Sequence, residues 1–295
     1  MAGNRAIGRD VHFYLFSEPD QPLGGMILNR SVTEKNFLFM LQEILIAASG
    51  PFLVTLRSSG VDLIATDNAL KPGHYDIRPK SRGYRIAITD EPCITRTLSR
   101  TITGRDVFRA QVRDRDGKCV ITGVVNTEAP RNMWVGFEAA HIFPVSSESY
   151  WVQNGFSRWI TNRKRRKSDT AINSCQNGLL MQSNIHQNFD SFSFFINPDD
   201  GYKITCFNSD PFRIDGRILD PICRQSNSEE GARDEFLRWH FRQAVLANMR
   251  GAGEPIFEMD FPPGSDMVWE ILSGPDAAKR MEAEISSKLN GLSFA

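Results

Sequence analysis

Short apolar runs and helically spaced apolar residues divide the first third of the chain into strands around one helix. The strands are predicted at 11–16, 24–29, 52–56 and 61–65, with further candidates at 74–77 and 83–88. Ser31-Val-Thr-Glu34 has the pattern of a capping box that opens the helix, and Gly50-Pro51 is expected to end it. Two strands, a helix and further strands follow the order of a ubiquitin-like β-grasp. Another small α+β domain fits this pattern as well.

From about residue 99 the pattern becomes charged and helical, and then mixed again. Apolar strands are predicted at 135–141 and 178–181, a short helix at 183–190, a hairpin around Pro198-Asp-Asp-Gly201, and helices at 229–249, 265–272 and 275–290. We therefore predict an α+β protein. It has a small N-terminal α+β domain at 1–98, a second domain at 99–210 and a mainly helical C-terminal extension at 211–295.

Composition and charge narrow the class of protein but do not identify a partner. Of 295 residues, 41% are hydrophobic and 24% charged, which excludes collagen-like, disordered and disulfide-scaffold proteins. The 35 basic and 35 acidic side chains cancel, so any electrostatic argument must be local. Five cysteines without a C-x-x-C pair suit a reducing compartment. Without a signal-peptide or membrane-spanning pattern, we expect an intracellular protein, nuclear or cytoplasmic, with no membrane partner.

Three segments of the middle domain carry residues suited to chemistry. Glu138-Ala-Ala-His141-Ile-Phe-Pro144 ends an apolar strand in a histidine. Asn177-Gly-Leu-Leu-Met181 opens a second strand, and His186-Gln-Asn-Phe-Asp190 lies on the predicted helix after it. An imidazole can accept a proton near neutral pH or bind a metal, and an asparagine can hold an imidazole in one tautomer. The order His, Asn, His on strand, strand and helix predicts one compact site.

These segments resemble the HNH endonucleases of the ββα-metal superfamily over roughly residues 115–205. The similarity is greatest to a branch common in fungal proteins, which begins with a C-x-x-T/S-G turn, here Cys119-Val-Ile-Thr-Gly123. The N-terminal segments VHFY, LGGMI and PGHYDI are similar to a region that accompanies such nuclease domains in fungal proteins. A structural zinc held by two C-x-x-C pairs is not expected, because Thr122 stands where the second cysteine after Cys119 would be.

The resemblance implies a role for each of three residues. His141 matches the general base that deprotonates the attacking water. Asn177 matches the residue that orients this histidine and pins the loop. His186 matches a ligand of one divalent ion, with Mg²⁺ or Mn²⁺ favoured and Zn²⁺ possible in principle.

One departure from the family pattern concerns the metal. Many HNH enzymes carry Asp or His just before the catalytic histidine, as a second ligand, whereas this chain has Ala140. The nearby oxygen donors are Glu138 and Asp190, which we predict as metal ligands together with His186. On an extended strand Glu138 and His141 point to opposite faces unless a bulge intervenes. Asp190 lies on the same helix face as His186. A structural role for Asp190 remains an equal alternative.

A basic run lies between the two strands of the predicted site. Its charged side chains are Arg158, Arg163, Lys164, Arg165, Arg166 and Lys167. They are predicted to contact nucleic-acid phosphates, although the run also fits a nuclear localisation signal or a solvated charge run. Trp151, Phe156 and Trp159 can stack on bases or anchor the loop, and anchoring is the favoured interpretation.

The predicted function is metal-dependent hydrolysis of phosphodiester bonds in nucleic acid, with DNA favoured over RNA. Two alternatives stay open. The first is an inactive or weak HNH-fold module that binds nucleic acid, and the second is an interaction or regulatory protein that uses the HNH core as a scaffold. A single site cuts one strand, so a double-strand break would need a homodimer or two events. The N-terminal domain would bind a protein partner or the substrate.

Overall fold

The computed structural model describes residues 4–94, 105–162, 170–224 and 229–254, together with Met281. Two large clusters of buried apolar side chains organise this part of the chain. One lies under the N-terminal sheet, and the other lies around the middle segment. Within the described residues, no helix is both long and apolar enough to cross a membrane.

The N-terminal part is a mixed five-stranded sheet with a helix against one face. Its strands are β1 (Val11–Leu15), β2 (Glu18–Met26), β4 (Phe52–Leu56), β5 (Val61–Asp62) and β6 (Gly73–Pro79), in the order β2-β1-β6-β4-β5. The central pair, β1 and β6, is parallel, and the other pairs are antiparallel. Helix α1 (Glu34–Phe39) follows the first hairpin. This is the predicted β-grasp arrangement, and the α+β class is confirmed.

The helix in this part is shorter than predicted. Thr33 caps α1 and forms a capping box with Asn36, in place of the predicted Ser31 and Glu34. After α1 the chain forms one stretch of π-helix, Met40–Leu45, and then turns into strand β3 (Ile46–Ala48), which pairs with β7 (Ile86–Ile88). The helically spaced apolar side chains are buried as predicted up to Leu45. After this residue, hydrogen bonds to a neighbouring strand replace those of the helix. This pairing involves residues about 40 positions later, so local spacing could not indicate it.

The first hairpin also differs from its prediction. Strand β2 begins at Glu18, so most of the segment between the strands predicted at 11–16 and 24–29 is itself extended. Pro19 and Pro22 lie in this strand. Proline cannot donate a ladder hydrogen bond and is tolerated in an edge strand, and β2 is at the edge of the sheet.

The middle part contains the predicted strand–strand–helix unit. Helix α2 (Arg105–Asp116) leads into it. Strands β8 (Phe137–His141) and β9 (Gly178–Gln182) form an antiparallel pair, and helix α4 (Ser183–Asp190) starts directly after β9. Helix α3 (Glu148–Gln153) lies in the connection between the strands. Strands β10 (Phe194–Asn197) and β11 (Lys203–Cys206) form the predicted hairpin.

Helix α5 (Asp234–Met249) joins the two halves of the structure. Its first half contributes Phe236 and Trp239 to the apolar cluster around the middle segment. Its second half contributes Phe241 and Val245 to the cluster under the N-terminal sheet. The helix predicted at 229–249 is therefore present and is largely buried. The predicted helices at 265–272 and 275–290 lie outside the described residues, apart from Met281.

Candidate active site

His186, on the helix of the strand–strand–helix unit, lies between two carboxylates. Its Nδ1 is 2.5 Å from Glu138 Oε2, on strand β8. Its Nε2 is 3.2 Å from Asp190 Oδ1, one helical turn further along α4. The i, i+4 spacing on α4 places His186 and Asp190 on one helix face, as the sequence predicted. The structure thus brings together all three side chains predicted as metal ligands.

The hydrogen bond from His186 also favours the ionised form of Glu138. This bond lowers the pKa of the Glu138 carboxyl below its ordinary value, against the opposing effect of burial. The positive charge of Arg109 on α2 adds a smaller effect in the same direction. Glu138 is therefore an ionised acceptor for the imidazole N–H at neutral pH.

Strand β8 places the side chains of Glu138 and His141 on opposite faces. Its pairing with β9 runs without a register shift from Phe137 to His141, so successive side chains alternate. Glu138 points towards α4. Ala140, on the same face, is fully buried in the apolar cluster and offers no ligand. His141 points towards α2, which confirms the expected opposite orientation of Glu138 and His141.

Among the described residues, two that the sequence did not single out as site residues hold the ring of His141. Phe108 on α2 stacks on the imidazole with ring centroids 3.8 Å apart and planes 10° apart. Asn173 Oδ1 lies 3.0 Å from His141 Nε2. An imidazole that donates Nε2–H to this oxygen carries its lone pair on Nδ1. In the sequence, Phe108 was visible only as part of an apolar helical stripe.

The stacking depends on the residue opposite His141. Gly178 is its cross-strand partner in β9. A Cβ at this position would lie 2.5 Å from a ring carbon of Phe108 and 2.8 Å from a methyl group of Val112. The missing side chain lets α2 approach the strands closely enough for Phe108 to reach His141.

Asn177 fixes the loop beside the site through its side-chain amide. Its Oδ1 accepts a hydrogen bond from Phe143 N (2.8 Å), and its Nδ2 donates to Phe143 O (3.1 Å) and Ile172 O (3.0 Å). The side chain is fully buried. The predicted pinning of the loop agrees with these contacts. The predicted contact with the His141 ring does not, because Asn173 occupies that position.

A buried ion pair at the end of α2 holds strand β9 in place. Asp116 accepts a hydrogen bond from Leu180 N (2.8 Å), and Arg115 bonds Asp116 while donating to the carbonyls of Cys175 and Gly178. Both side chains are almost fully enclosed. They fasten the two ends of the turn that carries Asn177.

The side chains around His186 suit a divalent ion only in part. Two neighbouring ligands of an octahedral ion at about 2.1 Å lie about 3 Å apart, close to the 3.2 Å between His186 Nε2 and Asp190 Oδ1. Glu138 at Nδ1 matches the carboxylate that orients many metal-binding histidines. Within the described ranges, no group of three or more His, Cys, Asp or Glu side chains is arranged to hold a metal. The fit is therefore to a two-ligand site, completed by water and phosphate oxygens.

Only one residue of the predicted basic run can be placed. Arg158 donates to the carbonyl of Asn154 (2.6 Å) and lies over the Trp159 ring. The other five predicted phosphate contacts, Arg163, Lys164, Arg165, Arg166 and Lys167, lie outside the described residues. Trp151 and Phe156 are buried in the apolar cluster, which agrees with anchoring.

Two family models match the chain. Residues 119–197 match a model described as HNH endonuclease, and residues 8–83 match a model described as a domain of unknown function. The first match covers β8, β9, α4 and the residues around His141, Asn177 and His186, and confirms the resemblance in this segment. No curated protein and no solved structure matched the chain.

Proposed function

We propose that this protein is a metal-dependent endonuclease that hydrolyses phosphodiester bonds in nucleic acid, with DNA as its substrate. The observation that carries the proposal is the strand–strand–helix unit in which His186 lies between two carboxylates, within the segment that matches the HNH endonuclease model. A neutral imidazole bonded to Glu138 through Nδ1–H turns its Nε2 lone pair towards Asp190. Two acceptors at 3.2 Å repel unless a cation or a proton lies between them.

In this proposal His186 and Asp190 hold the ion and Glu138 is a positioning residue. A divalent ion bound there would neutralise charge on the scissile phosphate and stabilise the leaving 3′ oxygen. Mg²⁺ and Mn²⁺ both suit one carboxylate, one imidazole and water ligands. Glu138 acts through His186, by fixing its tautomer and the orientation of its ring.

His141 is the proposed general base. The hydrogen bond to Asn173 and the stacking on Phe108 fix the plane of its ring. In the tautomer that donates Nε2–H to Asn173 Oδ1, proton uptake would fall to Nδ1. Asn177 supports the base indirectly, by holding the backbone of Phe143 two residues further along the chain. General bases of this kind contribute roughly 10²–10⁴-fold to a rate.

The test is a supercoiled-plasmid assay with the full chain in Mg²⁺ or Mn²⁺, with EDTA as the metal-free control. A single site cuts one strand, so we expect nicked circles before linear DNA. His141→Ala should lower the nicking rate by about 10²–10⁴-fold. His12→Ala, which removes a histidine of strand β1, is the matched control and should nick normally. An RNA substrate run in parallel identifies a preference for the other nucleic acid.

A second variant tests the role of Glu138. Glu138→Gln keeps an acceptor for Nδ1–H but removes the charge, so the metal concentration for half-maximal nicking should rise by about 10–100-fold. Glu128→Gln, at an exposed carboxylate paired with Arg131, is its control. Metal-independent nicking, or nicking that survives His141→Ala, contradicts the proposal. Salt-sensitive binding without any cutting would instead identify an inactive binding module.

A further inference from the structure

Helix α2 carries a row of arginines beside the candidate active site. Arg105, Arg109 and Arg113 are spaced four residues apart and so share one helix face. The described part of this row is poorly neutralised. Arg109 has one ion pair, at 3.4 Å, with Asp106, whose side chain is 99% exposed and therefore strongly solvated. Like charges at i, i+4 destabilise a helix, so this row has a cost within the protein alone.

Arg113 stacks on an aromatic ring and has no carboxylate partner in the described structure. Its guanidinium lies over the Trp134 ring, 4.6 Å from the centroid. Its Nε is enclosed and makes no hydrogen bond there. Burial, and then the charge of Arg109, lower the pKa of this guanidinium. An arginine stacked on an aromatic ring keeps its planar fork available for bidentate contact with a phosphate.

The arginine row is coupled to the site through its own helix. Phe108, the residue before Arg109, stacks on the proposed base. The charge of Arg109 acts on Glu138, at the other side of strand β8. The loop that carries Trp134 leads directly into β8, and it exposes Met133 and Val135 next to the ring.

We propose that Arg109 and Arg113 of the α2 arginine row, with the Trp134 ring beneath Arg113, bind the phosphate backbone of the nucleic acid next to the scissile bond. This inference rests on the proposed function and adds a substrate-binding surface to it. Nucleic acid is the occupant that charge complementarity favours, because Arg109 and Arg113 are two cations with little neutralisation among the described residues, on the helix that supports the base. Sequence reading placed phosphate contacts only in the 158–167 run.

The test measures binding without cleavage. The full chain carrying His141→Ala is titrated in EDTA against a fluorescent 20-base-pair duplex, between 50 and 200 mM KCl. Each phosphate contact on duplex DNA adds about 0.9 to the log–log salt slope. The double variant Arg109→Gln and Arg113→Gln should therefore lower the slope by about 1.8. It should also weaken binding by roughly 60-fold near 0.1 M salt.

Two further variants separate charge from fold. Arg113→Lys keeps the charge and should retain the slope. Arg82→Gln, at an exposed arginine of the N-terminal part, is the matched control and should bind as the parent does. Each variant is also melted, and an unchanged midpoint shows that a lost slope is not lost folding. If Arg113→Gln lowers the midpoint, Arg109→Gln alone should still lower the slope by about 0.9.

The outcomes distinguish this inference from the proposed function. Salt-dependent binding by the parent with an unchanged slope in the double variant overturns the arginine surface and leaves the nuclease standing. A parent that binds neither duplex nor single-stranded DNA or RNA at 50 mM salt overturns the proposed function, and the surface with it.

Discussion

Replacing Asn177 with alanine should lower the free energy of unfolding, because this one side-chain amide makes hydrogen bonds to three buried backbone groups. The N–H and C=O of Phe143 and the C=O of Ile172 all bond to it, and the surrounding residues are almost fully buried. In Asn177→Ala these groups lose their partner. A buried hydrogen bond contributes about 1 kcal/mol net, so three give a loss of about 3 kcal/mol.

Urea unfolding followed by tryptophan fluorescence measures this loss. The midpoint should fall while the slope of the transition stays constant. The melting temperature should drop by roughly 6 °C, since about 1 kcal/mol corresponds to roughly 2 °C for a chain of this size. Asn177→Asp should be worse than alanine, because it keeps the acceptor for Phe143 N–H but turns a carboxylate towards two carbonyl oxygens.

The control is Asn188→Ala, which removes one solvent-exposed hydrogen bond on helix α4. It should change stability by less than about 0.5 kcal/mol. An Asn177→Ala variant that loses less than about 1 kcal/mol would refute the reasoning, because the loop would then satisfy its backbone without the amide. Loss of nicking at a temperature where the variant is folded would show that the pinned loop also serves the base.

Three further predictions concern the packing around the site. The new methyl group of Gly178→Ala would overlap Phe108, so this variant should displace the ring and lower both the melting temperature and the nicking rate. The control Gly117→Ala, at a left-handed turn with open space around it, should lower only the melting temperature. Arg115→Met should destabilise by about 3–5 kcal/mol by leaving the buried Asp116 charge unpaired, and Arg115→Met with Asp116→Leu should recover part of that loss in the same urea assay. All five cysteines are free and buried, and burial raises the pKa of Cys93 to about 12. A thiol reagent at pH 8 should therefore label none of them rapidly in the native protein and all five in denaturant. Fast labelling of the native protein would contradict the packing.

The strand–strand–helix unit could be predicted because its signals are local. An apolar strand ending in His141, an apolar strand after Asn177 and a helix with His186 and Asp190 four residues apart are all visible in short windows of sequence. The i, i+4 pair and the alternation along β8 follow from backbone geometry alone, and the structure agrees with both.

What the sequence by itself determined about this protein is the α+β class, the order of the elements and the identity of His186 and its two carboxylate neighbours. Only the tertiary structure decided that Asn173 and not Asn177 bonds His141, that Phe108 stacks on it, and that α5 belongs to both apolar clusters. These contacts join residues more than 30 positions apart. Periodicity reports which face of an element is buried, whereas the partner of that face depends on how distant elements pack together.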